Sequence, residues 1–205
     1  MGRVRADDMS LREEVVRSEN KEACALQKER EEEKSWFVMR DLTRSNAKYP
    51  AYRILEEKGI TYFTPMTWKI MVHGNRRERQ RVPVMHDLLF VYDTRAVLDP
   101  IVESIPTFQY RFARNTGGQP MTVRTIDMER FIRAVESTDT PRYYRPEEIT
   151  PTMYHRRIRM IGGNLDGYEG FLLTTRGSKV KRLLVELPMF LAASVEVQTE
   201  YIQFL

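Results

Sequence analysis

The sequence predicts two folded units in series, an α+β sandwich followed by a small all-β barrel. Three observations carry this prediction. Composition changes abruptly at Ser35, from a highly charged stretch to an apolar, β-rich run; strand and helix patterns then alternate as far as residue 137. A segment punctuated by Pro141, Pro146 and Pro151 follows, and beyond it the chain reads only as short strands. With 205 residues and 24.3 kDa, each unit has enough chain to bury a core of its own.

The elements follow in order. From Leu11 to Lys34 the only sizeable apolar groups are Leu11, Val15, Val16, Cys24 and Leu26. The composition favours helix, but so thin an apolar stripe does not dock firmly. Residues 1–34 therefore read as a fraying helix or disordered tail. Trp36 to Met39 is the first strand, and after a polar loop Ala47, Ala51, Ile54 and Leu55 share the face of a helix that ends at Gly59. Thr61 to Pro65 and Trp68 to Val72 are strand-like. A turn at His73-Gly74-Asn75 leads into the basic run Arg76 to Arg81, and Val82 to Tyr92 reads as one returning strand.

Thr94 to Ser104 is a short helix interrupted by Pro100, and Phe108, Tyr110 and Phe112 alternate with polar or small residues as in a half-buried strand. Asn115 to Pro120 reads as a turn. Met128, Phe131, Ile132 and Val135 mark a helix with Thr125 as its N-cap candidate, closing a first unit over residues 35–137. Residues 138–151 read as a stiff extended spacer. In residues 152–205 the expected strands are Ile158 with Met160, Phe171 to Thr175, Val180 to Leu187 and Ser194 to Val197.

Charge and motif content narrow the function. The net charge is +4. Residues 1–34 hold 8 basic and 10 acidic side chains, residues 35–140 hold 16 and 12, and residues 141–205 hold 9 and 7. The positive charge thus belongs to the folded body, which directs attention to polyanion contact there. A single cysteine, Cys24, excludes an internal disulfide or a thiolate metal cluster and suits a reducing compartment. No apolar run has transmembrane length and the polar start lacks a signal-peptide centre, so a cytoplasmic address and no membrane partner are expected. His73, His86 and His155 lack metal-ligand spacing, and no Ser-His-Asp, Cys-His or paired-carboxylate motif stands out, so no metal, cofactor or enzymatic activity is expected.

The segment Arg157 to Gly170 resembles the KOW motif. Gly163 and Gly167 permit the positive φ of a tight strand connection, and Gly170 removes a side chain where one strand crosses close to another. A phosphate-binding loop is the rival reading, but the Lys-Ser/Thr that completes one is absent. A KOW barrel placed after an α+β unit that opens on an aromatic pair resembles the NusG family of transcription elongation factors, over residues 36–205. The phrases Ile161 to Gly170, Arg176 to Leu187 and Tyr201-Ile202-Gln203 are similar to the UpxY subgroup, antiterminators of capsular polysaccharide operons in Bacteroides-type bacteria.

What the resemblance implies is an NGN-type first domain that binds RNA polymerase, touches the non-template DNA strand or a nascent RNA leader, and carries a KOW barrel that meets ribosomal protein, termination factor or RNA. An inhibitory regulator of the UpxZ type is implied as a further partner. Family members dock on polymerase through an apolar patch that includes a Phe-Pro-Gly-Tyr segment. Val84 to Leu88 stands there in this sequence, keeping only the hydrophobic character, and the implied contacts are Phe37, Leu42, Met85, Leu88 and Phe90. A threonine-rich loop of some specialised members is replaced by Val97-Leu98-Asp99-Pro100.

Two basic groups are nucleic-acid candidates. Arg40, Arg44 and Lys48 flank the first helix entry, where helix N-terminal amides assist anion binding. Arg76, Arg77, Arg79 and Arg81 gather at an expected hairpin tip and repel one another unless an anion is near. Arg176, Lys179, Lys181 and Arg182 surround a turn of the barrel as a partner surface. The expected function is a transcription antitermination factor without catalytic chemistry. A KOW-based ribosome- or RNA-binding protein, a housekeeping NusG, and an enzyme with an unrecognised site are the alternatives.

Overall fold

The computed structural model describes residues 33–44, 49–74, 76–113, 118–174 and 180–205. Residues 1–32 of the charged segment expected as a tail, together with Lys48, Arg176 and Lys179, lie outside the described residues.

The first sheet is antiparallel with the order β2-β5-β1-β6, and β7 also pairs with β1; these are β1 Ser35–Asp41, β2 Thr61–Phe63, β5 Leu89–Asp93, β6 Phe108–Tyr110 and β7 Thr122–Val123. Alternation along the strands sorts side chains onto two faces. Phe37, Met39, Leu89, Val91 and Phe108 pack under α1 (Ala51–Glu57) and α2 (Arg95–Ser104), which supply Ala51, Leu55, Leu98 and Ile101. Trp36, Val38 and Phe90 face the other way, toward α3 (Thr125–Glu136) with its buried Met128, Phe131, Ala134 and Val135.

Local chemistry explains several boundaries. The first helix begins at Pro50, which has no side chain able to cap it. The Asp41 carboxylate, held by the Thr43 hydroxyl at 2.6 Å, accepts from the Ala51 amide at 2.7 Å instead. Gly59, at φ +67, ends the helix in the left-handed conformation expected after a C-cap. In α2 the Thr94 hydroxyl accepts from the Val97 amide. Thr125 is not the cap of α3, since Arg124 precedes the first turn and ties its guanidinium to Asp127 at 2.6 Å. Phe112 departs from the expected alternation. It lies beyond the end of β6, bridges Pro120 and is 54% exposed.

The second sheet has the order β13-β9-β10-β11-β12-β8, from β8 Arg142–Tyr144, β9 Arg156–Met160, β10 Glu169–Thr174, β11 Lys181–Leu187, β12 Leu191–Val197 and β13 Ile202–Phe204. Two corrections to the sequence reading arise here. The stretch read as a stiff extended spacer contributes a strand of this sheet, β8, with Tyr143 opposite Ala193. Ile202–Phe204 forms an additional strand paired with Met160 to Ile158.

Arg182 explains the first correction. Expected on a partner surface, it is 6% exposed. Its guanidinium donates to the Ser194 hydroxyl at 3.0 Å, the Glu196 carboxylate at 2.8 Å, the Ser194 carbonyl at 2.9 Å and the Thr140 carbonyl. A buried cation survives only when hydrogen-bonded in this manner, and the partners draw the spacer onto β12. Lys181 sits beside it, half-buried.

The glycines of the KOW-like segment behave as read. Gly163 and Gly167 have φ +69 and +77, and a Cβ on Gly170 would lie 2.4 Å from the Leu184 carbonyl oxygen. The two units share one continuous core. Ile158, Met160, Leu165, Tyr168, Leu183 and Val195 join Trp36, Phe90 and the buried face of α3. Phe190 meets Phe90 edge-on at 5.8 Å between ring centroids, and the Tyr168 hydroxyl donates to the Arg130 carbonyl at 3.0 Å. Phe190 is presented by the β11–β12 turn, where Met189 adopts φ +72.

Two outcomes follow from these contacts. Gly170→Ala lowers unfolding free energy in a urea titration by about 1–3 kcal/mol, because backbone rather than a yielding side-chain tip opposes the new methyl group; an unchanged midpoint would contradict the close crossing. The Glu196 carboxyl is held below its ordinary value of 4.5, first by the Thr140 hydroxyl and then by Arg182. Its ionised form therefore adds stability above the ordinary value, and that stability is lost as pH falls through the lowered one. Glu196→Gln is expected to flatten the acid limb of a plot of Tm against pH.

Candidate nucleic-acid interface

The strands β3 (Met66–His73) and β4 (Arg76–Pro83) form a two-stranded sheet separate from the other two. The pairing is regular from Met66 opposite Pro83 to His73 opposite Arg76. The basic run is thus not the hairpin tip but one whole strand of it, with Gly74 at φ +59 in the turn. Val82 to Tyr92 is not continuous either. The chain leaves β4 after Pro83, turns through Met85 and Leu88, whose amide donates to the Met85 carbonyl, and resumes as β5.

Register sorts the hairpin into two unlike faces. Trp68, Ile70 and Val72 stand opposite Arg81, Arg79 and Arg77, so these six share one face. Lys69 and Met71, opposite Gln80 and Glu78, share the other with Arg76. On the first face Trp68 is 48% exposed, Ile70 68% and Val72 63%, an apolar row beside a row of guanidinium groups. The Arg79 guanidinium lies over the indole of Trp68 at 4.6 Å from the ring centroid, with Arg81 at 5.9 Å. Residues 66–83 carry five cations and one carboxylate, which equals the net charge of the whole chain.

At its base this face opens into a groove of about 1310 Å³. Trp68, Arg79 and Arg81 form part of its wall, α1 contributes Tyr52, Arg53 and Glu56, the end of α3 contributes Glu136, and Asp139 and Tyr143 come from the former spacer. Burial pushes the Tyr143 phenol up to about 12, with Arg81 opposing and Glu136 adding to the shift. Burial also raises the Tyr62 phenol, against the pull of the same Arg81. Both phenols stay neutral near pH 7, and the Arg81 guanidinium is close enough to oppose both shifts.

The other candidates are placed differently. Arg40 and Arg44 are exposed, but neither lines the groove, and the amide at the first helix entry is already taken by Asp41. Of the apolar docking set only Leu42, 51% exposed, is at the surface. Phe37 is buried under α1 and α2, while Met85, Leu88 and Phe90 lie in the core shared with the second unit. They are not an open patch in this conformation, because the second unit and α3 cover that face. Arg111 reaches the same region and donates to the Asp87 carboxylate at 3.0 Å and its carbonyl at 2.8 Å, and Arg145 also reaches that carboxylate. Burial lowers the pKa of Arg111.

Sequence reading missed Trp68, Arg53, Tyr62 and Tyr143 as site residues. The signal for Trp68 was present in its two-residue alternation with Ile70 and Val72, next to a run of arginines. Among the described residues no group of three or more His, Cys, Asp or Glu side chains is arranged to hold a metal ion. No helix among them is long and apolar enough to cross a membrane.

Comparison with known proteins matches residues 34–132 to the family described as transcription termination factor nusG. That stretch, similar to a NusG-family domain, takes in the first sheet, the hairpin at residues 66–83, α1, α2 and the first two turns of α3. No curated protein matches the chain. Among solved structures, one titled "Domain interaction in Thermotoga maritima NusG" is similar at 13% identity and a TM-score of 0.42, over 84% of this chain and 98% of that chain.

The exposure difference between the two tryptophans is directly measurable. Trp36 is 5% exposed and Trp68 nearly half exposed. Acrylamide should quench part of the emission readily and leave a blue-shifted remainder, and Trp68→Phe should abolish the quenchable part. Equal quenching before and after that substitution would contradict the exposed hairpin face.

Proposed function

We propose that this protein is a transcription elongation factor of the NusG type that binds RNA polymerase through its first unit and promotes read-through of specific operons. The observation that carries the reading is the coincidence of the family match with the first folded unit, residues 34–132 against a sheet and helices spanning Ser35 to Glu136. The similarity of Ile161 to Gly170 and of Arg176 to Leu187 to the UpxY subgroup supports capsular polysaccharide operons as the targets. A cytoplasmic location goes with that role.

The mechanism needs no chemistry by the factor. A ligand that binds the processive state of polymerase more tightly than the paused state shifts the equilibrium by that difference in affinity. The apolar residues implied in polymerase docking, Met85, Leu88 and Phe90, are covered by the second unit in this conformation. Docking on them requires the barrel to move aside, at the cost of contacts such as Phe90 with Phe190. The hairpin arginines Arg77, Arg79 and Arg81 supply the nucleic-acid contact, and Lys181 remains for a barrel partner.

Purified polymerase and a leader terminator test the proposal. The full chain is expected to bind polymerase and raise read-through, and Phe190→Ala is expected to strengthen polymerase binding severalfold by weakening the competing cover. Absence of both binding and read-through would sink the reading. Unchanged affinity in the Phe190→Ala variant would instead place polymerase on another face.

A further inference from the structure

We infer that the Trp68 face of the β3–β4 hairpin and the groove at its base bind single-stranded RNA, with an unpaired base stacked on the Trp68–Arg79 platform. The inference rests on the reading of the hairpin arginines as a nucleic-acid contact and names what they hold.

The arrangement favours a single strand over a duplex. Arginines alone neutralise phosphates of any nucleic acid, and a smooth cationic strand has no means to distinguish them. Here the cationic row Arg77, Arg79 and Arg81 runs in register with an apolar row, Val72, Ile70 and Trp68, on the same face. Only an unpaired base offers a π-face to such a row, since in a duplex those faces are stacked away. Trp68 is rigid, half-exposed and already overlain by Arg79 at 4.6 Å, which extends the indole into a wider flat surface. Exposed apolar area of this kind needs a reason on a hairpin otherwise so charged, because among the described residues nothing covers Ile70 or Val72.

The groove favours RNA over DNA. Its wall carries Arg53, Arg79 and Arg81 for phosphates, but also Glu56, Glu136 and Asp139. Carboxylates repel phosphates and accept hydrogen bonds, so they suit a strand that presents hydroxyl donors between its phosphates. The ribose 2′-hydroxyl is such a donor and deoxyribose lacks it. Tyr62 and Tyr143 add two neutral phenols beside Arg81 for further stacking or donation.

The experiment titrates the full-length chain with labelled oligouridylate, oligothymidylate and a DNA duplex of equal length, following label anisotropy and intrinsic emission. Oligouridylate is expected to bind tightest and to quench the exposed tryptophan. Trp68→Ala is expected to weaken oligouridylate binding by about 5- to 100-fold, the value of one stacked base, with the salt slope and duplex binding unchanged. Trp68→Phe should retain most of the affinity, and circular dichroism of both variants checks that the fold is kept. Oligothymidylate or duplex binding as tight as oligouridylate overturns the inference, as does a Trp68→Ala variant that binds oligouridylate like the wild type. In that last case a loss of binding in R77Q/R79Q/R81Q would leave the arginine contact standing without the stacked base. Failure of the wild type to bind any of the three would remove the nucleic-acid reading of the hairpin itself.

Discussion

Helix α3 is buried on two sides, and this burial locates everything else. Met128, Phe131 and Val135 seal the face of the first sheet that carries Trp36, Val38 and Phe90, while the second sheet closes over the same core with Ile158, Leu183 and Val195. A helix between two sheets leaves neither with a free apolar face, so the two units pack as one body instead of as beads joined by a spacer. The edge-on pair Phe90 and Phe190 and the hydrogen bond from Tyr168 to the Arg130 carbonyl fix the orientation that apolar contact alone leaves loose.

The chain between the units adapts to that packing. Arg182, buried beneath it, has donors that only carbonyls, a hydroxyl and a carboxylate satisfy, and the Thr140 carbonyl is among them. Holding Thr140 brings Arg142 to Tyr144 alongside β12. The groove owes its shape to the same clamp, since Asp139 and Tyr143 form the wall that faces the hairpin base.

Most of the first unit was legible because its strands alternate and its helices are amphipathic. Ser35 as the start of β1, α2 and α3, and Gly59 as a helix terminus all follow from local patterns that tertiary structure did not overrule. The misses have a common cause in long-range contact. Val82 to Tyr92 is apolar enough for one strand, but Pro83 ends the ladder and Arg111 grips Asp87, so the run folds into a turn. Arg182 in a charged stretch reads as surface, and only Ser194 and Glu196, far along the chain, reveal it as interior. The docking residues were correctly read as apolar, but which side of a sheet is covered is a property of the assembled core.

The hairpin is also a two-stranded sheet whose edges pair with no other strand among the described residues. Exposed edges with Ile70 and Val72 in register are a template for strand addition by another copy of the chain. Arginines along β4 make such pairing self-repelling, as edge charges do in proteins that remain monodisperse. The cationic strand consequently guards against aggregation. Loss of charge at Arg77, Arg79 or Arg81 would therefore remove repulsion beside the exposed Trp68, Ile70 and Val72 row and favour self-association.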